Sequence, residues 1–210
     1  YPEITSDHFR PSTEISNVVI SSNSQRRWRN GVLIEGAWNL TMHNVFISGG
    51  SAYGVWRDME GSGIELRGSC VNAHFSNVRC NFWATGFYYN AGAGTNTEGL
   101  FFSNCSMVAV QRGVWVIGNP NDAVAGRVST FSWVGGLIEC RVGGVVNGSA
   151  AFHFVHCWSV MITAMQMLAE ELPAVIARLD ALGYDGDFRV IGMGATAIIL
   201  YVPSTSTVFK

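Results

Sequence analysis

The stretch that most constrains this chain is Ala73 to Cys105, because it holds one full copy of an internal repeat and the start of the next. Its mark is a pair, Asn77-Val78, which recurs at Asn17-Val18, Asn44-Val45 and Asn104-Cys105, with degenerate copies read at Trp133-Val134 and His156-Cys157. Successive anchors are 27, 33, 27, 29 and 23 residues apart. A glycine that opens a second strand follows most anchors: Gly31 in GVLIEG, Gly54 in GVWRD, Gly86 in GFYYN, Gly113 in GVWVIGN and Gly144 in GVVNG. A further short strand precedes each anchor, in LTMHN, AHFSN, LFFSN, STFSW and FHFVH. Three strands per repeat, separated by turns, is the pattern of a parallel β-helix in which each repeat is one coil stacked on the last. The expected fold is therefore all-β: a right-handed parallel β-helix of about five to six coils over residues 15–167. An entry segment (1–14) precedes it, and a C-terminal capping or trimerisation module (168–210) follows.

Composition agrees with stacked coils. Of 210 residues, 48% are hydrophobic and only 13% charged, about half the usual charged share, as expected where strand residues face the core, a neighbouring coil or another subunit. Net charge is −2, and the one basic cluster, Arg26-Arg27-Trp28-Arg29, lies in a predicted loop. Nucleic acid needs a concentrated basic face, so it is excluded as a partner. Five cysteines show no C-x-x-C pair and no zinc-ligand spacing; they read as small buried hydrophobes made in a reducing compartment. No signal peptide and no apolar run long enough for a membrane span is found. The chain begins at Tyr1 and reads as part of a longer protein.

Beyond residue 167 the period changes. Apolar residues at 168, 172, 175, 176, 179 and 182 fit helical spacing, with Glu170 and Glu171 in the first turn and Gly183 after the last. This predicts a helix over 168–182, followed by β-like runs at 188–193 and 196–202.

Strand side chains alternate. In the glycine-started strands the inward positions read Val32/Ile34, Val55/Arg57, Phe87/Tyr89, Val114/Val116 and Val145, with Arg57 breaking the pattern. Two outward features carry the chemistry. Trp56, Tyr88 and Trp115 share one offset on successive coils; with coils roughly 4.8 Å apart they form a ladder suited either to sugars or to a subunit interface. Trp28, in its loop, is a further candidate glycan contact. Glu35 and Asp58 share the next offset, and two carboxylates at roughly 5 Å would match the spacing of a retaining glycosidase. Glu60 and Glu65 could supply a wider, inverting pair; all four acids equally fit a solvated surface. The asparagine column (17, 44, 77, 104) reads as structural, its amides bonding between coils. The histidines form no metal set, no cofactor is implied, and no nucleophile-elbow, zincin, P-loop or dinucleotide motif occurs.

The NVxI and GVxxx coils, the asparagine column and the terminal module together resemble the pectate-lyase-like right-handed parallel β-helix. Low charge, turns rich in Gly, Asn and Ser, and the missing signal peptide make it most similar to bacteriophage tailspike or tail-fibre proteins. The resemblance implies a homotrimer, assembled in the host cytoplasm and carried on the virion, that recognises and in many members cleaves bacterial surface polysaccharide. It implies no particular catalytic residue. The readings left open are a glycan-cleaving spike using Glu35 and Asp58 with Glu60 or Glu65 as substitutes, and a non-catalytic receptor-binding or structural spike segment. A calcium-dependent pectate-lyase-type enzyme would want an aspartate cluster on one strand face, which is lacking.

Overall fold

The computed structural model describes residues 12–22, 28–49, 61–92, 97–118, 128–140, 151–155 and 157–169, together with strands at 175–180, 188–191, 194–195 and 199–201. It is a parallel β-solenoid, and every strand pairing is parallel.

The first coils each use two long strands. They are β1 (Thr13–Ser21) with β2 (Asn30–Trp38), β3 (Leu40–Ser48) with β4 (Ser62–Val71), and β5 (Ala73–Asn81) with β6 (Thr85–Asn90). The later coils use three: β7 (Leu100–Ser103), β8 (Ser106–Val110) and β9 (Arg112–Ile117), then β10 (Val128–Val134), β11 (Leu137–Cys140) and β12 (Phe152–Val155). The two patterns are equivalent. The first half of β5 pairs with β7 and its second half with β8, so β1, β3 and β5 are bent strands that cover two faces each. The bend is the asparagine anchor. Asn17, Asn44, Asn77 and Asn104 all take positive φ, between 51° and 55°, and stack in register. Asparagine tolerates that left-handed conformation better than other residues with a Cβ. Its amides also link the coils: Asn44 Nδ2 donates to Asn17 Oδ1 and Asn77 Nδ2 to Asn44 Oδ1, each at 3.2 Å.

The column continues through Gly135 and Ala164, also at positive φ. This corrects the two degenerate anchors. Trp133 stands in β10 opposite Phe102, and Cys157 opposite Val128; both are core positions rather than corners.

The third face is a seven-stranded sheet that includes β2, β4, β6, β9 and β12. Its register corrects the glycine-started strands. The partner of β2 is β4, in which Gly63 opens GIELRG, and not the stretch from Gly54. Ile64 and Leu66 thereby fill the inward positions, and the anomalous inward Arg57 disappears. In the fifth coil the inward pair is Phe152/Phe154 of β12; Val145 lies outside the described residues.

The core is a set of columns running along the axis. Phe75 stacks on Phe102 at 4.6 Å between centroids, and Phe102 on Trp133 at 5.0 Å, while Phe87 meets Phe102 edge-on across the interior. Cys70, Cys80, Cys105, Cys140 and Cys157 are free and buried in it, as expected. Desolvation raises every one of these thiols, Cys105 to about 11 and Cys70 and Cys140 to about 12.

Where a helix was expected over 168–182, the described residues hold strands. β13 (Cys157–Thr163) and β14 (Gln166–Ala169) carry the first two faces onward, and β15 (Val175–Asp180) pairs with β12. The short strands β16 (Phe188–Ile191), β17 (Gly194–Ala195) and β18 (Ile199–Tyr201) add to β13, β14 and β15. The open edge of β12 offers a row of unpaired backbone groups, and β-branched Val175 and Ile176 suit a strand; pairing overrides a helical period of apolar residues. No helix among the described residues is long and apolar enough to cross a membrane.

Candidate functional site

Outward side chains of the third face form two adjacent columns. The first is Leu33, Glu65, Tyr88, Trp115 and His153; the second is Glu35, Arg67, Asn90, Ile117 and Val155. Successive members come from neighbouring coils, so each column runs along the solenoid axis, on strands paired on both sides from β4 to β12 and on β2 paired with β4 alone.

Four expected site residues stand here: Glu35, Glu65, Tyr88 and Trp115. Their neighbours differ from expectation. The coil beside Glu35 presents Arg67, and the coil beside Tyr88 presents Glu65, both from β4. Trp56, Asp58 and Glu60 lie outside the described residues. Trp28 is exposed just ahead of β2.

The acids are tied by a cation. Arg67 Nε donates to Glu65 Oε1 at 2.5 Å, and its Nη1 lies 3.6 Å from Glu35 Oε1. Glu65 is buried, whereas Glu35 is exposed. The hydrogen bond to Glu65, and then the charges of Glu65 and Glu35, push the Arg67 guanidinium above its ordinary value. Two carboxylates bridged by a guanidinium do not repel as an isolated like-charged pair would. Glu35 and Glu65 therefore stand with Arg67 as one ion-paired group.

The aromatic column is self-stacked. Tyr88 and Trp115 are 5.0 Å apart at 42°, and Trp115 and His153 are 5.5 Å apart and nearly parallel, at 7°. The Arg112 guanidinium lies over the Trp115 indole, 4.2 Å from the ring centroid. Ring faces are thus largely spent on one another, and Tyr88 and Trp115 are half-buried. What the column presents outward is ring edges and polar atoms. Asn90 Nδ2 donates to the Tyr88 hydroxyl at 3.3 Å, and Asn90 Oδ1 accepts from the Gly92 amide at 3.1 Å, which fixes the amide's orientation. Among the described residues no cluster of His, Cys, Asp and Glu could hold a metal ion.

Sequence reasoning set Asn90 outward beside Tyr88 without giving it a role, and missed Arg67, Arg112 and His153. The signal was present: GIELRG repeats GVLIEG residue for residue in polarity at its core-facing positions, and GVWRD does not. The comparisons add no relative: no protein-family model matches the chain, and neither does any curated protein or any solved structure.

Proposed function

We propose that this chain is a polysaccharide-recognising segment of a phage tailspike-type β-solenoid, working in a homotrimer on the virion and binding bacterial surface glycan without cutting it at the third face. The observation that carries this reading is the convergence of a carboxylate, a guanidinium, a phenol and an oriented amide (Glu35, Arg67, Tyr88, Asn90) on two adjacent columns of one rigid sheet. Planar polar groups of fixed orientation are what sugar hydroxyls require, since each hydroxyl both donates and accepts. Groups on paired strands hold that geometry without an ordering cost at binding.

Binding is preferred to cleavage because Arg67 engages Glu35 and Glu65, the two candidate acids among the described residues. General acid catalysis needs a carboxyl free to meet the leaving oxygen, and Arg67 Nε holds Glu65 Oε1 at 2.5 Å. Glu35 and Glu65 are then hydroxyl acceptors, and Tyr88 and Trp115 a stiff platform.

The test is incubation with a panel of bacterial surface polysaccharides, reading affinity and product size together. Retention without shortening of the glycan, weakened about tenfold by Asn90→Ala or Glu35→Gln, is expected. Release of oligosaccharides that stops in Glu35→Gln would overturn the binding-only reading. Sedimentation as a monomer would remove the trimer from it.

A further inference from the structure

A second recognition surface lies on another face. A trough of about 370 Å³ is lined by Asn17, Asn44, Asn77, Val19, Phe46 and Arg79, with Val18 and Val45 beneath. The register makes it two parallel rows, Asn17–Asn44–Asn77 and Val19–Phe46–Arg79, one residue from each of three coils. The asparagine side chains are exposed, and so are Val18, Val19 and Arg79. The trough therefore runs along the solenoid axis, with an amide wall facing an apolar and aromatic wall that ends in a guanidinium.

We propose that this trough binds a short run of a linear glycan, as a subsite separate from the third face. The ladder bonds use one hydrogen of an amide nitrogen and one lone pair of an amide oxygen. Each primary amide has a second hydrogen and a second lone pair, which serve sugar hydroxyls at coil spacing. The opposite wall offers C–H surface and the Phe46 ring to the apolar face of a pyranose. Arg79 is held in place by its Nε bond to Asn81 Oδ1 at 3.0 Å, with its guanidinium 5.9 Å from the Phe46 centroid. The volume falls in the range of small-ligand pockets, roughly 300–1,000 Å³.

Other ligand classes fit less well. A stable protein partner covers about 800 Å² per side around an apolar centre, and here the apolar lining is Val18, Val19, Val45 and Phe46. Nucleic acid needs a row of cations, and Arg79 is the single cation lining the trough. A divalent ion needs clustered carboxylates, and none lines it.

The proposal is tested by following ¹H–¹⁵N spectra of the whole chain while adding oligosaccharides of three kinds: neutral hexose, N-acetylhexosamine and uronic acid. Shifts are expected at the side-chain amides of Asn17, Asn44 and Asn77 and at the backbone of Val19 and Phe46. Binding should weaken about tenfold in Phe46→Ser and in Arg79→Gln, whose side chains point outward and leave the core columns intact. No shift in the trough with any of the three, or affinity unchanged in both variants, overturns it. A glycan that perturbs only Tyr88 and Asn90 also overturns the trough, while leaving the third-face reading standing. One that perturbs only the trough does the reverse.

Discussion

Two of the three turns in each coil answer to different constraints. Between the first and second faces it turns through a residue of positive φ whose side chain projects outward, at Asn17, Asn44, Asn77, Asn104, Gly135 and Ala164. At the entry to the third face it turns beside Gly31, Gly63, Gly86 and Gly113, where a Cβ would sit 2.5 to 2.7 Å from the backbone carbonyl of the next coil. The first constraint acts on the backbone torsion and leaves outward space free, so residue identity drifts along the column. The second acts on volume at the edge of the core, where packing is dense, and along β2 to β12 the column is glycine until the fifth coil, where Ala151 stands. A corner governed by torsion should therefore tolerate substitution, and one governed by volume should not.

Gly63→Ala should give the largest effect. Its new Cβ would meet Gly86 O at 2.7 Å and the Cβ and Sγ of Cys80 at 2.8 Å. Overpacking of this kind costs about 1–3 kcal/mol, here toward the upper end because a backbone atom is one of the obstacles. Denaturant midpoints measure the loss. Cys80 supplies an independent reading, since burial raises its thiol and keeps it protonated; a thiol reagent at mildly alkaline pH should label it faster in the variant than in wild type. Unchanged stability and unchanged labelling would mean that volume does not govern this corner.

The torsion corner should respond less, and in two directions. Asn44→Ala removes both of its ladder bonds and places a less tolerant residue in the left-handed region, for a loss of about 2 kcal/mol. Asn104→Gly keeps the torsion easy and should change stability by only a few tenths of a kcal/mol. If the two variants lose equally, the amide ladder rather than φ is what the corner requires.

The same contrast explains how much was legible. Four asparagines in register identify a β-solenoid because the pair of torsion and amide ladder favours one residue type. Past Asn104 that signal fades, since Gly135 and Ala164 meet the torsion without an amide, and the dipeptides Trp133-Val134 and His156-Cys157 imitate the anchor. The volume corner is read best from the residues after its glycine. Gly31, Gly63, Gly86 and Gly113 are each succeeded by apolar residues one and three places on, whereas Gly54 leads to Val55 and Arg57. Choosing Gly54 moved the outward columns, which is why the candidate site was half recovered: Tyr88, Trp115, Glu35 and Glu65 were found, and the Arg67 that joins the acids was not. The pattern of GIELRG places Arg67 outward, and that of GFYYN places Asn90 outward, but the role of each comes from the neighbouring coil. The strand Val175–Asp180 was hidden for a related reason, as an amphipathic period reads helical until an open sheet edge is there to pair it, whereas the β-like runs at 188–193 and 196–202 hold β16 and β18.

The smallest predicted effect lies beside the torsion corner, at its exposed end. Glu14 of β1 and His43 of β3 flank the asparagine column, and His43 Nε2 donates to Glu14 Oε1 at 2.9 Å. The hydrogen bond from His43, then one from Ser16, then the charge of His43, hold the Glu14 carboxyl below its ordinary value of 4.5. A carboxyl depressed in the folded state contributes stability that is present above its unfolded value and is lost as pH falls through the folded one. The edge strand β1 should therefore loosen below about pH 4.5, with the core columns unaffected. Carboxyl-carbon NMR should show Glu14 titrating low in wild type and near its ordinary value in His43→Ala. Amide exchange in β1 should rise with acidification in the same range, while exchange in β5 and β6 stays flat. A Glu14 titration indifferent to His43 would leave the first coil held by the asparagine ladder and backbone pairing alone, and the torsion corner would then account for the whole of the edge strand's attachment at this point.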